Sequence, residues 1–189
     1  MIRRGVTLVE MIMTIAVMAI VMSVVIPAFL MTGRVVSNEI SRSELVVDSG
    51  RLLGPVDELL RQGKDVVAQY PTSGAPTVTT GSDAMVFTVP SIIGGQLDET
   101  SVDYVTLERD TTLTDNARLI MTVYPSSSPA SERPATVSAI SKFVSDLYIR
   151  YPTTDLAEVN AVTVLVRSSK MARDLSTQTI LLNSTLRNH

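Results

Sequence analysis

The chain has 189 residues, enough for one domain of ordinary size plus a membrane segment, with 45% apolar residues and a formal net charge of −3. Acidic and basic residues are mixed along it without a basic stripe, which excludes an electrostatic nucleic-acid footprint. The absence of cysteine excludes disulfides, thiolate metal sites and cysteine nucleophiles together.

The apolar residues are unevenly spread. Six of the nine Met lie in the first 31 positions, and between Gly5 and Gly33 the only charged side chain is Glu10. Met11 to Met31 is an apolar run broken only by Thr14, Ser23 and Pro27. At about 1.5 Å per residue, twenty helical residues span the roughly 30 Å hydrocarbon core, so this run predicts a membrane helix. Arg3 and Arg4 stand before it, which places the N-terminus in the cytoplasm and everything after Gly33 outside. A cleaved secretory signal, with Ala28 as the small residue at its cleavage site, is the competing reading. Such signals carry an apolar region of about 7–15 residues, shorter than this run. That reading also leaves Glu10 unexplained, because a carboxylate inside an apolar helix is costly unless paired.

The stretch Gly5-Val6-Thr7-Leu8-Val9-Glu10, followed by the apolar run, resembles the N-terminus of bacterial type IV pilins and their secretion-system relatives, the pseudopilins. That pattern is a short basic leader ending in Gly, then an apolar residue, Thr, Leu, an apolar residue and Glu. Every element is present, although Val6 stands where Phe is usual. The resemblance implies cleavage between Gly5 and Val6 by a prepilin peptidase and N-methylation of Val6 by the same enzyme. It implies pairing of Glu10 with the terminal amine of a neighbouring subunit. It also implies partners: other pilin or pseudopilin subunits, an inner-membrane assembly platform and the lipid bilayer. The expected location is a single-pass inner-membrane protein with an exported head, later part of a periplasmic or extracellular filament.

The pairing has a physical basis of its own. A cut after Gly5 removes both leader arginines and creates an ammonium group four residues before Glu10. Two parallel helices displaced by about one turn, roughly 5–6 Å, bring the amine of one to the carboxylate of the other. Pairing within one chain stays open, since Val6 and Glu10 lie one turn apart. Only the intermolecular pair builds a filament. Pro27 removes the hydrogen bond to the Ser23 carbonyl and kinks or loosens a helix. An ordinary membrane-helix proline is the plain reading; in the family a proline near this position marks local unwinding during assembly. Gly33 adds a second weak point.

From Thr32 the composition becomes mixed. Val36, Ile40, Val47 and Leu53 or Gly54 fall near helical spacing, which predicts that the first helix continues to about Arg51 with an amphipathic distal half lying against the exported domain. Gly50, Gly54 and Pro55 are expected to interrupt it, with a second short helix from Val56 to about Val67. Tyr70–Gly81 reads as loop. The period then changes to two, predicting strands at Ala84–Val89, Val102–Arg109, Arg118–Tyr124, Asp146–Tyr151, Ala161–Arg167 and Thr179–Leu186. Turn-rich segments at Pro125–Pro134 and Ser168–Ser176 separate some of them. Short successive strands without long intervening helices favour an antiparallel sheet, so the expected fold is α+β: a long N-terminal helix on an antiparallel β-sheet head. The divisions are a leader (1–5), the membrane half of the helix (6–31), an amphipathic helical region (32–67) and the β-rich exported head (68–189).

Catalytic chemistry is poorly supplied. The only histidine is His189, the last residue, which argues against a Ser-His-Asp arrangement. There is no phosphate-cradling loop and no His-rich metal motif. Gly94-Gly95 reads as turn chemistry. Asp98, Glu99 and Asp103, and again Asp110 and Asp115, are clusters of the type that can hold calcium, but neither has EF-hand spacing and solvated loops are favoured. No cofactor and no metal is expected, and the chain is read as a non-enzyme. Asn183-Ser184-Thr185-Leu186-Arg187-Asn188 is similar to the endings of larger-headed minor pilins and pseudopilins. That ending, the sizeable head and the lack of a disulfide-closed loop favour a minor pilin or pseudopilin over a major subunit. A membrane-tethered binding protein is the alternative from another class.

Overall fold

The computed structural model describes residues 7–71, 77–112, 117–171 and 175–187. Helix α1 runs without interruption from Leu8 to Gln62. The break expected at Gly50, Gly54 and Pro55 does not occur, and the second helix expected from Val56 is the end of the first. Pro55 forfeits one helical hydrogen bond, a local cost of about 3 kcal/mol. Val56 and Leu60, in the turns that follow, are fully buried in the head core, and that packing holds the helix through the proline. α1 stops at Gly63, whose N–H bonds back to the Leu60 carbonyl at 3.0 Å. Val66–Val67, expected as helix, form strand β1.

The remaining chain is strand and turn. It comprises β2 (Gln69–Tyr70), β3 (Val78–Thr79), β4 (Ala84–Ile93), β5 (Gln96–Asp110), β6 (Arg118–Tyr124), β7 (Thr136–Ser141), β8 (Val144–Arg150), β9 (Ala161–Met171) and β10 (Leu175–Thr185). A five-stranded sheet has the order β1-β4-β5-β6-β7, a three-stranded sheet the order β10-β9-β8, and β2-β3 form a small ribbon. All these pairings are antiparallel. The α+β architecture is the expected one, and each of the six expected strands is present. β7 was not anticipated, nor were β1, β2 and β3. The segment Ser168–Ser176, expected as turn, is largely the paired ends of β9 and β10.

Gly94 and Gly95 close the β4–β5 hairpin with φ of 61° and 74°, the left-handed pair that a two-residue turn of matching twist demands. Pro90 sits in β4 where the register shifts against β5, the place a residue without an N–H is tolerated. One apolar core joins the inner face of the five-stranded sheet (Phe87, Val105, Leu107), the inner face of the three-stranded sheet (Leu147, Val164) and Val56 and Leu60 of α1.

The acidic residues expected as a solvated cluster are split by the fold. Asp103 is fully buried. Its carboxylate accepts from the Ser91 hydroxyl (2.8 Å), the Ser126 N–H (2.9 Å), the Ser131 hydroxyl (2.8 Å) and Arg133 Nε (3.0 Å). Arg133 also donates to the Pro90 carbonyl and to Gln62 Oε1, so the pair ties the 126–133 loop to the end of α1. A buried charge survives only with such saturation. Glu99 instead pairs with Arg187 at 3.1 Å. Among the described residues no group of three metal-ligating side chains converges. Asp115 and His189 lie outside the described residues.

Candidate functional site: the N-terminal helix

α1 has two halves with different surroundings. From Leu8 to Val36 every residue is exposed, whereas Ser41, Leu45 and Asp48 are buried against the head. The bare half, with the turns that follow, is long and apolar enough to cross a membrane. Its polar side chains bond within the helix. The Thr14 hydroxyl donates to the Glu10 carbonyl (2.7 Å), Ser23 to the Ile20 carbonyl (2.7 Å) and Thr32 to the Ala28 carbonyl (2.9 Å). In hydrocarbon, where water supplies no partners, polar groups must be satisfied in this way.

Glu10 closes the N-terminus of the helix. Thr7 is the N-cap: its hydroxyl accepts the Glu10 N–H at 3.3 Å. The Glu10 carboxylate accepts the Thr7 N–H at 2.9 Å and the Thr7 hydroxyl at 3.1 Å. This is a reciprocal capping box. Thr7 was not singled out as a functional residue, although Thr-x-x-Glu ahead of an apolar run is the sequence signal for one. Glu10 is the only acidic residue in the first turn of α1, and it is exposed. Gly5 and Val6, the expected cleavage and methylation positions, lie outside the described residues. Pro27 lies within continuous helix, so α1 is unbroken there in the isolated chain.

Residues 1–26 match the family described as the prokaryotic N-terminal methylation motif. The chain carries the type IV pilin and pseudopilin signature. No curated protein matches the chain at a significant level. A pilin-like chain of this kind points to a structural protein rather than an enzyme, processed by prepilin peptidase and assembled with other subunits in general. The bare apolar half of α1 is consistent with membrane anchoring.

The docked half of the pilin-like helix is fastened by charge as well as packing. The Asp48 carboxylate accepts from the Ser141 hydroxyl and from the Lys142 N–H (3.1 Å). Glu44, one turn earlier, pairs with Lys170, whose ammonium stands 4.9 Å from the centre of the Phe143 ring. These contacts fix the β7–β8 turn and β9 to the helix. At the far end, the Arg187 N–H bonds the Gly63 carbonyl at 2.7 Å and Leu186 packs in the core. The C-terminal segment thus has a structural task at the helix terminus.

Proposed function

We propose that this chain is a minor pilin or pseudopilin: a structural subunit of a type IV pilus-like filament, built in through its N-terminal helix. In this reading, prepilin peptidase cuts between Gly5 and Val6 and methylates the new amine of Val6. The observation that carries the proposal is Glu10, a lone carboxylate at the start of an exposed apolar helix, bonded among the described residues only to the Thr7 groups beside it. Those contacts are neutral and local. They leave the charge without a cation, and a neighbour's terminal ammonium supplies one in a setting where an unpaired charge is costly.

The exposed face of the helix supports the same reading. Val36, Ile40 and Val47, whose spacing marked the distal half expected against the head, are instead exposed, the head side being Ser41, Leu45 and Asp48. They continue the apolar surface of the bare half, which suits packing against another helix. Pro27 leaves the Ser23 carbonyl without its helical donor, so Ser23–Pro27 is the segment where α1 loosens when packed in a filament. The chain stands in the inner membrane with its head exported until the assembly platform extracts it. The large cysteine-free head and the pinned C-terminal segment favour the minor class over the major one.

Mass spectrometry of the purified mature chain tests processing: loss of Met1–Gly5 is expected, with the added mass of a methyl group on Val6. Glu10→Ala is expected to leave membrane insertion and the head intact while abolishing incorporation into filaments. Unchanged incorporation would mean that the helix is only a tether.

A further inference from the structure

Exposed side chains on the outer face of the three-stranded sheet are ordered into three rows that cross the strands. In the middle row Tyr148 stands opposite Leu165, and Leu165 opposite Leu181. Tyr148 is 53% exposed and Leu181 58% exposed. One flanking row is Arg150, Thr163 and Asn183. The other is Asp146, Arg167 and Thr179, in which Arg167 lies 3.6 Å from the Asp146 carboxylate. A shallow recess of about 360 Å³ follows the middle row.

The Arg150 row is rich in donors. The Thr163 hydroxyl donates to Asn183 Oδ1 at 2.8 Å, which leaves the Asn183 amide N–H groups for another partner. Arg150 is exposed and forms no ion pair among the described residues. Asp146 is the only acid in the three rows, and it already faces Arg167. The uncompensated charge of this face is therefore a cation, at Arg150.

Size and edges limit what can lie here. Three short strands offer less than the roughly 800 Å² per partner of a stable protein complex. The sheet edges are also engaged: the Ile149 N–H of β8 bonds the Ser82 carbonyl, and β10 lies along α1. That disfavours a peptide held by main-chain pairing. An apolar row one side chain wide, with hydrogen-bonding groups on both sides, suits a narrower chain. A pyranose ring has that character, with apolar C–H faces and a rim of hydroxyls. Neighbouring strands stand about 4.8 Å apart, close to the length of one pyranose unit in an extended chain, so successive rings fall over Tyr148, Leu165 and Leu181.

We propose that this face binds an extended acidic polysaccharide, one with carboxylates on its sugar rings. The rings lie along the Tyr148–Leu165–Leu181 row, Thr163 and Asn183 meet hydroxyls, and Arg150 takes a carboxylate as a two-pronged pair. The site belongs to the head alone and needs neither Glu10 nor a filament.

The test titrates the full-length chain in detergent with a β-1,4 mannuronate hexamer, with cellohexaose, which has the same linkage and no carboxylate, and with hexa-aspartate. Saturation transfer from protein to ligand protons reads binding. The mannuronate hexamer should bind about fivefold tighter than cellohexaose, the scale of one exposed charged contact. Arg150→Gln should remove that preference and leave cellohexaose unchanged. Tyr148→Ala should weaken both sugars by about tenfold, the scale of one lost aromatic stacking contact. Both side chains are exposed, so neither change touches the core. Hexa-aspartate binding as tightly as mannuronate would reduce the effect to general attraction of polyanions and overturn the proposal. So would failure of both sugars to bind, or mannuronate binding indifferent to Tyr148→Ala.

Discussion

The two halves of α1 share one backbone conformation and little else. In the bare half no side chain is buried, and the helix persists because its Thr and Ser hydroxyls and most of its backbone groups, the Ser23 carbonyl beneath Pro27 apart, find their partners inside the helix. In the docked half, the helix survives two glycines and a proline because Leu45, Val56 and Leu60 are buried and Glu44 and Asp48 are fastened to the head. One half is bare along its whole length; the other is packed on the head. Substitutions in the two halves should accordingly be read by different assays.

The sharpest contrast is between Leu60 and Leu30. Leu60→Ala should cost about 3 kcal/mol of head stability in detergent, the usual price of a large-to-small core change, measured by denaturant unfolding. Leu30→Ala, on the bare half, should change that stability by no more than about 0.5 kcal/mol. A comparable loss at both positions would break the division of the helix. Next comes Asp48→Ala, which leaves the Ser141 hydroxyl and the Lys142 N–H without their acceptor and should cost about 1–3 kcal/mol by the same measurement. Gly63→Ala should cost about 1–2 kcal/mol, because a Cβ there meets a Leu186 methyl and the Leu60 carbonyl oxygen, each at 2.8 Å.

The smallest expected effect lies on the five-stranded sheet. Half-burial, and after it the nearby Asp110 charge, hold the Glu108 carboxyl above its ordinary 4.5. A raised acid contributes stability that is fully present below its unfolded value and is lost as pH rises through the folded one. Glu108→Gln should therefore melt slightly higher than the parent at neutral pH, with the advantage vanishing below about pH 4.5. Thermal melts of the full chain in detergent at the two pH values check the sign.

Much of the fold was legible because the chain changes period. The Leu147/Ile149 and Val162/Val164/Val166 alternations mark β8 and β9, and both sets are buried on one face as their spacing demands. β7 was illegible because Thr-Val-Ser-Ala stands exposed at a sheet edge, with no core face to impose an alternation. The continuous helix was misread because local punctuation at Gly54 and Pro55 says nothing about the burial of Val56 and Leu60 that overrides it. Asp103 was misread for a related reason: composition shows a cluster of acids, while the four donors that bury this one come from four other positions in the chain. Glu10 stands out in the sequence alone, since a single acid in an apolar run needs no tertiary context; the structure adds the capping box it forms with Thr7. Thr7, its partner, was available in the same six residues.

α1 is the first element to leave the ribosome, and β10, against which its docked half packs, is the last strand described. Translation therefore makes the rod before the last part of its cradle. Until β10 is made, the Ser41–Asp48 side of the rod lacks its full seat, and a chain cut short before that strand leaves an apolar, charged flank uncovered. Covering that flank is thus a task that only a chain reaching β10 completes.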